Sequence, residues 1–148
     1  MISSILIPTD FSPASWKATQ VGLELSKLNG EAILSLLHIY PMAARYTNKE
    51  IQVISQQKLK EVEKRMNQLS VDFIDQPEKR IKNLVLSGNV EETMIQFIRD
   101  NDFDLVIVGI NSNGQNNEIG SHTVSVIRES GIPVMIVPNK IADGDIAN

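Results

Sequence analysis

Ile5-Leu6-Ile7-Pro8-Thr9-Asp10-Phe11-Ser12-Pro13 reads as a strand handed directly to a helix. Its apolar residues run consecutively instead of alternating, so both faces of the strand must be covered. That is the condition of an inner strand in a parallel sheet flanked by helices. Ser12 is placed to cap the helix that follows, and Pro13 takes the first helical position, where its missing N–H costs nothing. From Ala14 through Ala18, Val21, Gly22, Leu25 and Leu28 the apolar positions keep to one helical face, and Gly30 stops the helix.

The same alternation continues along the chain. Residues 32–39, Leu105-Val106-Ile107-Val108 and Pro133-Val134-Met135-Ile136-Val137 repeat the continuous apolar run, and Ile81 to Leu86 is a weaker fifth strand. Helical patterns fill the gaps. One runs from Asn48 to Leu69, with Leu59, Val62, Met66 and Leu69 on one face and Glu61 four residues before Arg65 on the solvated side. Another runs from Val90 to Asp100, presenting Val90, Met94, Phe97 and Ile98 inward. The last spans Ser121 to Ser130 and ends at Gly131. Alternating strand and helix implies right-handed crossovers and an α/β, doubly wound parallel sheet with helices on both faces. In such sheets ligands lie beyond the carboxyl ends of the strands at the switch point. The segments that matter are therefore Pro8-Thr9-Asp10-Phe11, His38-Ile39-Tyr40-Pro41 and the stretch from Gly109 to Ser121.

At 148 residues the chain fits one ordinary domain, read as residues 1–140 with an aperiodic tail at 141–148. The balance of 42% hydrophobic to 22% charged residues is that of a globular protein. A net charge of −4 gives no basic footprint for a phosphate backbone or an anionic bilayer, so neither nucleic acid nor membrane is an expected partner. The absence of cysteine excludes disulfides, thiolate metal sites and cysteine nucleophiles. The first residues lack a basic signal region, and residues 32–44 fall short of the roughly 20 apolar residues that span a bilayer. A cytoplasmic location follows as the default.

Two segments carry candidate chemistry. The Gly109–Ser121 stretch joins a buried strand to a helix whose free N–H groups favour an anion. Gly109 and Gly120 allow close backbone approach to a phosphate, and Ser121 can cap the helix and donate its hydroxyl; an ordinary Gly- and Asn-rich connection fits the spacing equally well. Asp10 can accept from an adenine amino group or a ribose hydroxyl, but an aspartate before a helix is more often a cap. His38 has no partner at ligand spacing and reads as a hydrogen-bonded core residue, and His122, in the first turn of the last helix, is as readily solvated as ligand-bound. Asp100-Asn101-Asp102-Phe103-Asp104 lacks the glycine and distal glutamate of a calcium loop and reads as turn chemistry. Neither a P-loop, a G-x-G-x-x-G fingerprint nor a G-x-S-x-G elbow occurs.

Together these segments resemble the universal stress protein family. The likeness runs from Ile5 to Pro138 and is carried by Ile-Leu-Ile-Pro-Thr-Asp-Phe-Ser at 5–12, Leu-Leu-His-Ile at 36–39, Ser-Gly-Asn-Val-Glu-Glu at 87–92, Asp-Leu-Val-Ile-Val-Gly at 104–109, Gly-Ser-His-Thr at 120–123 and Pro-Val-Met-Ile-Val-Pro at 133–138. The resemblance implies a five-stranded sheet in order 3-2-1-4-5, and a homodimer formed through strand 133–138. It implies an adenine-nucleotide cleft in which Asp10 and backbone at Ile39 contact adenosine, flanked by Pro8, Thr9 and Val108. A G-x2-G-x9-G-[ST] loop would hold the phosphates of ATP, with magnesium. Here Gly109 matches the first glycine, Ser112 stands at the second, and the third arrives at Gly120, two residues early. Gly114 and the asparagines can rebuild an anion nest, with Gly120, Ser121 and His122 completing the candidate site. The expectation is a regulatory stress-response module and not an enzyme, slow ATP turnover at most. The alternative is a nucleotide-independent dimeric protein acting on a protein partner.

Overall fold

The apolar runs are strands, β1 (Ser4–Pro8), β2 (Ile33–Tyr40), β3 (Ile81–Ser87), β4 (Leu105–Ile110) and β5 (Val134–Pro138). In the computed structural model they pair in parallel in the order β3-β2-β1-β4-β5, as expected. The structure describes residues 2–30, 32–40, 81–110 and 127–138, together with the helical positions 60, 61, 64, 65 and 68. Helix α1 is Pro13–Leu28, the helical positions 60, 61, 64, 65 and 68 are labelled α2, and α3 is Val90–Asp100. Residues 127–129 form the described part of the final helix. The expected elements elsewhere in 41–80 and 111–126, and the tail at 141–148, lie outside the described residues.

Local sequence explains the helix ends. The Ser12 side chain accepts from the Ser15 N–H at 3.3 Å, and Pro13 stands at the first helical position. Gly30 follows the helix with φ +68°, a conformation glycine adopts without strain. Asn89 caps α3 by accepting from Glu92 N–H at 3.0 Å, with Glu91 and Glu92 in the first turn complementing the helix dipole.

Inner strands covered on both faces should send successive residues into two different cores, and they do. Ile5, Ile7, Leu34, Leu36, Leu105 and Ile107 pack with Ala18 and Leu23 of α1. Leu6, Leu37, Ile39, Val106 and Val108 pack with Met94 and Ile98 of α3 and with Ile127. Each of these large side chains contributes about 1.5–3 kcal/mol through burial. No helix among the described residues is long and apolar enough to cross a membrane.

One pairing differs from the rest. The β1–β2 ladder runs the whole length of β1, from Ser4↔Ile33 to Pro8↔Leu37, and β4–β5 runs from Val106↔Val134 to Ile110↔Pro138. Between β1 and β4 only Ile5↔Leu105 and Leu6↔Val106 are in register, so the two strands part toward their carboxyl ends. The sheet thus opens a crevice where its winding reverses.

Candidate functional site

The carboxyl end of β1 borders that crevice and carries a closed set of hydrogen bonds. Thr9 N–H donates to Leu37 O at 2.8 Å, which ties the segment to β2. The Asp10 carboxylate accepts at Oδ1 from the Ser15 hydroxyl at 2.6 Å and from Ser12 N–H at 3.0 Å, while Asp10 N–H donates back to Ser15 Oγ at 3.2 Å. Ser15 is buried and Asp10 is exposed, so the carboxylate is gripped from inside the fold and open to solvent. Partial burial alone would raise its pKa. Hydrogen bonds from the Ser12 and Ser15 side chains and from backbone N–H groups outweigh that and hold the carboxyl below the usual aspartate value. At neutral pH it is an ionised, oriented acceptor. Ser12, not Asp10, caps α1; Asp10 instead fixes the cap residue and Ser15 of the first turn and keeps an exposed carboxylate at the crevice.

The described candidates gather along one sheet edge. Pro8 and the buried Thr9 end β1, Ile39 lies buried near the end of β2, and Val108 and Gly109 lie near the end of β4. His38 is half-buried, and its Nδ1 lies 2.8 Å from Thr9 O, a carbonyl that can only accept, so Nδ1 carries a proton. It is the hydrogen-bonded core residue expected. Gly114, Gly120, Ser121 and His122 lie outside the described residues.

Gly109 departs from its expected place. It is not the start of the connection but a paired residue of β4, in register with Val137, and the strand continues to Ile110. A Cβ at Gly109 would run into the backbone of Ala14 and Ser15 in the first turn of α1. Its missing side chain lets the helix sit on the strand, which accounts for the glycine without a ligand.

Ser15 and Arg65 were not among the expected site residues, and Phe11 was expected only as part of its segment. Ser15 was hidden as an ordinary small helix residue; the only signal was its position three residues beyond the cap Ser12. Phe11 has φ +66°, left-handed backbone that no sequence rule assigns to a phenylalanine, and its ring lies 4.7 Å from His38. Arg65 was expected as solvated surface beside Glu61; although exposed, its guanidinium carbon lies 4.9 Å from the centre of the Phe11 ring.

Known proteins share this chain's family signature and fold. The universal stress protein family profile matches residues 1–138. The chain is 26% identical over 144 residues to universal stress protein G of Shigella flexneri, covering 93% of this chain and 99% of that one. The structure of MJ0577, a universal stress protein of Methanocaldococcus jannaschii, superposes with a TM-score of 0.73 at 25% identity, covering 96% of this chain and 99% of the other. A universal stress protein crystallised in complex with cAMP shares the fold, with a TM-score of 0.62 at 16% identity over 92% of this chain and 97% of its own.

Proposed function

The chain belongs to the universal stress protein family, and from that premise we propose that it is a regulatory module whose switch-point crevice binds an adenine nucleotide. The carrying observation is Asp10: an ionised carboxylate fixed by Ser12 and Ser15 at the mouth of the crevice where β1 and β4 separate. A carboxylate so placed is a ready acceptor for ribose hydroxyls or the adenine amino group. Backbone at Ile39 is assigned to adenosine, flanked by Pro8, Thr9 and Val108 at the strand ends. Residues 109–122, with Gly114, Gly120, Ser121 and His122, are the segment assigned to phosphates, including those of Mg-ATP. The cAMP complex of a relative with the same fold supports the choice of nucleotide class. The module binds and signals from the cytoplasm, as a homodimer joined through β5, and turns over nucleotide slowly if at all.

The test is the nucleotide content of freshly purified protein, followed by calorimetric titration of adenosine and Mg-ATP into emptied protein and its Asp10→Ala variant. Adenosine affinity that falls about tenfold or more in the variant, as expected for loss of a charge-assisted acceptor, supports the reading. Equal affinity removes Asp10 from the site.

A second reading has its own observation. Because α1 already occupies the space beside Gly109, the first glycine of the phosphate pattern is explained by packing alone. A dimer that engages a protein partner without nucleotide fits that fact. Stoichiometric nucleotide in the purified protein would exclude it.

A further inference from the structure

Phe11 stands in left-handed backbone at φ +66°, a conformation costing an L-residue roughly 1–2 kcal/mol. A bulky side chain persists there only when its surroundings hold it. What holds it is a three-layer stack. His38 is anchored through Nδ1 to Thr9 O, the Phe11 ring lies 4.7 Å from the His38 ring at 37°, and the Arg65 guanidinium lies over Phe11 at 4.9 Å. The stack reaches from β2, across the end of β1, to α2.

Its uppermost member is a cation. A guanidinium resting on an aromatic ring is held in place without committing its N–H donors to a conventional acceptor. Arg65 is exposed and makes no ion pair among the described residues. Its seat, Phe11, directly follows Asp10. One dipeptide therefore presents an oriented carboxylate and supports an oriented guanidinium.

Those two groups divide nucleotide recognition by chemistry. The carboxylate accepts from hydroxyl or amino groups, and the guanidinium pairs with phosphate oxygens, two at a time. Because the seat of Arg65 directly follows Asp10 in the chain, the phosphate within its reach is one carried close to the ribose. Resting on the adenine-nucleotide reading above, we infer that Arg65 is a phosphate contact, made to the phosphate that adjoins the ribose of a bound adenine nucleotide. A 5′-monophosphate and a 3′,5′-cyclic phosphate share that chemistry.

The experiment titrates adenosine, AMP and cAMP by calorimetry into emptied wild type, Arg65→Ala and Arg65→Lys. The expected result is that Arg65→Ala weakens AMP, cAMP or both about tenfold, the loss of one charge-assisted contact, while adenosine binds as in wild type. Arg65→Lys should restore only part of the loss, since an ammonium is a point charge without the bidentate fork. The phosphate that loses more identifies the source. Phosphate affinities unchanged in Arg65→Ala, or adenosine weakened equally with them, would overturn the role of Arg65 and leave the adenine site standing. Wild type that binds none of the three would overturn the adenine site and this inference together.

Discussion

At the scale of the residue, two aspartates illustrate how much of a side chain's role depends on distant partners. Asp104 accepts at Oδ2 from Ser3 N–H at 2.8 Å, from the Ser3 hydroxyl at 3.0 Å and from Ser4 N–H at 3.1 Å, pinning the start of β1 to the start of β4. These bonds, the Ser3 backbone first among them, hold its carboxyl below the usual aspartate value. Asp10 is lowered as well, its hydrogen bonds overcoming partial burial. A carboxyl whose folded pKa lies below its unfolded value, about 3.9, stabilises the fold fully above that unfolded value. The contribution disappears as pH falls through the folded pKa. Urea midpoints measured between pH 6 and pH 2 should therefore drop at the acid end, and Asp104→Asn should lower the midpoint at neutral pH and flatten that drop. An unchanged acid slope in the variant would show that ionisation of Asp104 adds nothing to the stability of the fold. The sequence pattern read Asp104 as turn chemistry, and the structure makes it a tie between strands instead. Its partners about a hundred residues away were not legible, because hydrogen bonds across adjacent strands leave no local periodicity.

At the scale of the element, the seat of α1 depends on glycines that face its neighbours. Gly22 lets the helix cross β1 so closely that an added Cβ would lie 2.5 Å from Ile7 Cδ1, a flexible tip that can yield. At Gly109 the obstacle is the backbone of Ala14 and Ser15, which cannot yield without moving the helix. Gly109→Ala should then cost about 1–3 kcal/mol or more, the range for overpacking. Thermal melting should show it as a fall of several degrees, at about 2–4 °C per kcal/mol for a domain of this size. A variant that melts like wild type would mean that α1 shifts freely over β4. The limits of α1 were legible because Ser12, Pro13 and Gly30 act within one turn of the backbone. The role of Gly109 was not, since a glycine freed for a phosphate and one freed for a helix look alike in sequence.

At the scale of the molecule, the sheet ends in two edge strands, β3 and β5. Open strand edges invite pairing with another chain. Ile136 lies on β5 with 38% of its surface exposed, among half-buried Val134 and Met135. Under the proposed dimer that apolar strip is the interface, and Ile136→Lys should place a charge in it. Sedimentation should then find dimer in the wild type and monomer in the variant, with folding retained. A monomeric wild type would remove β5 from the interface. The alternation of strand and helix made a doubly wound parallel sheet legible, whereas the strand order came from the family resemblance, because local spacing does not say on which side of β1 each crossover lands.

The amino-acid sequence by itself determined the alternation of strand and helix, the caps, the doubly wound sheet and the sheet edge where candidate residues meet. Each of these is written in local spacing of apolar residues and turn formers. Only the tertiary structure decided that β1 and β4 part beyond Leu6 and Val106, that Gly109 is a packing residue inside β4, and that Arg65 comes to rest over a strained Phe11. Those are relations between residues far apart in the chain, fixed by how helices seat on a twisted sheet.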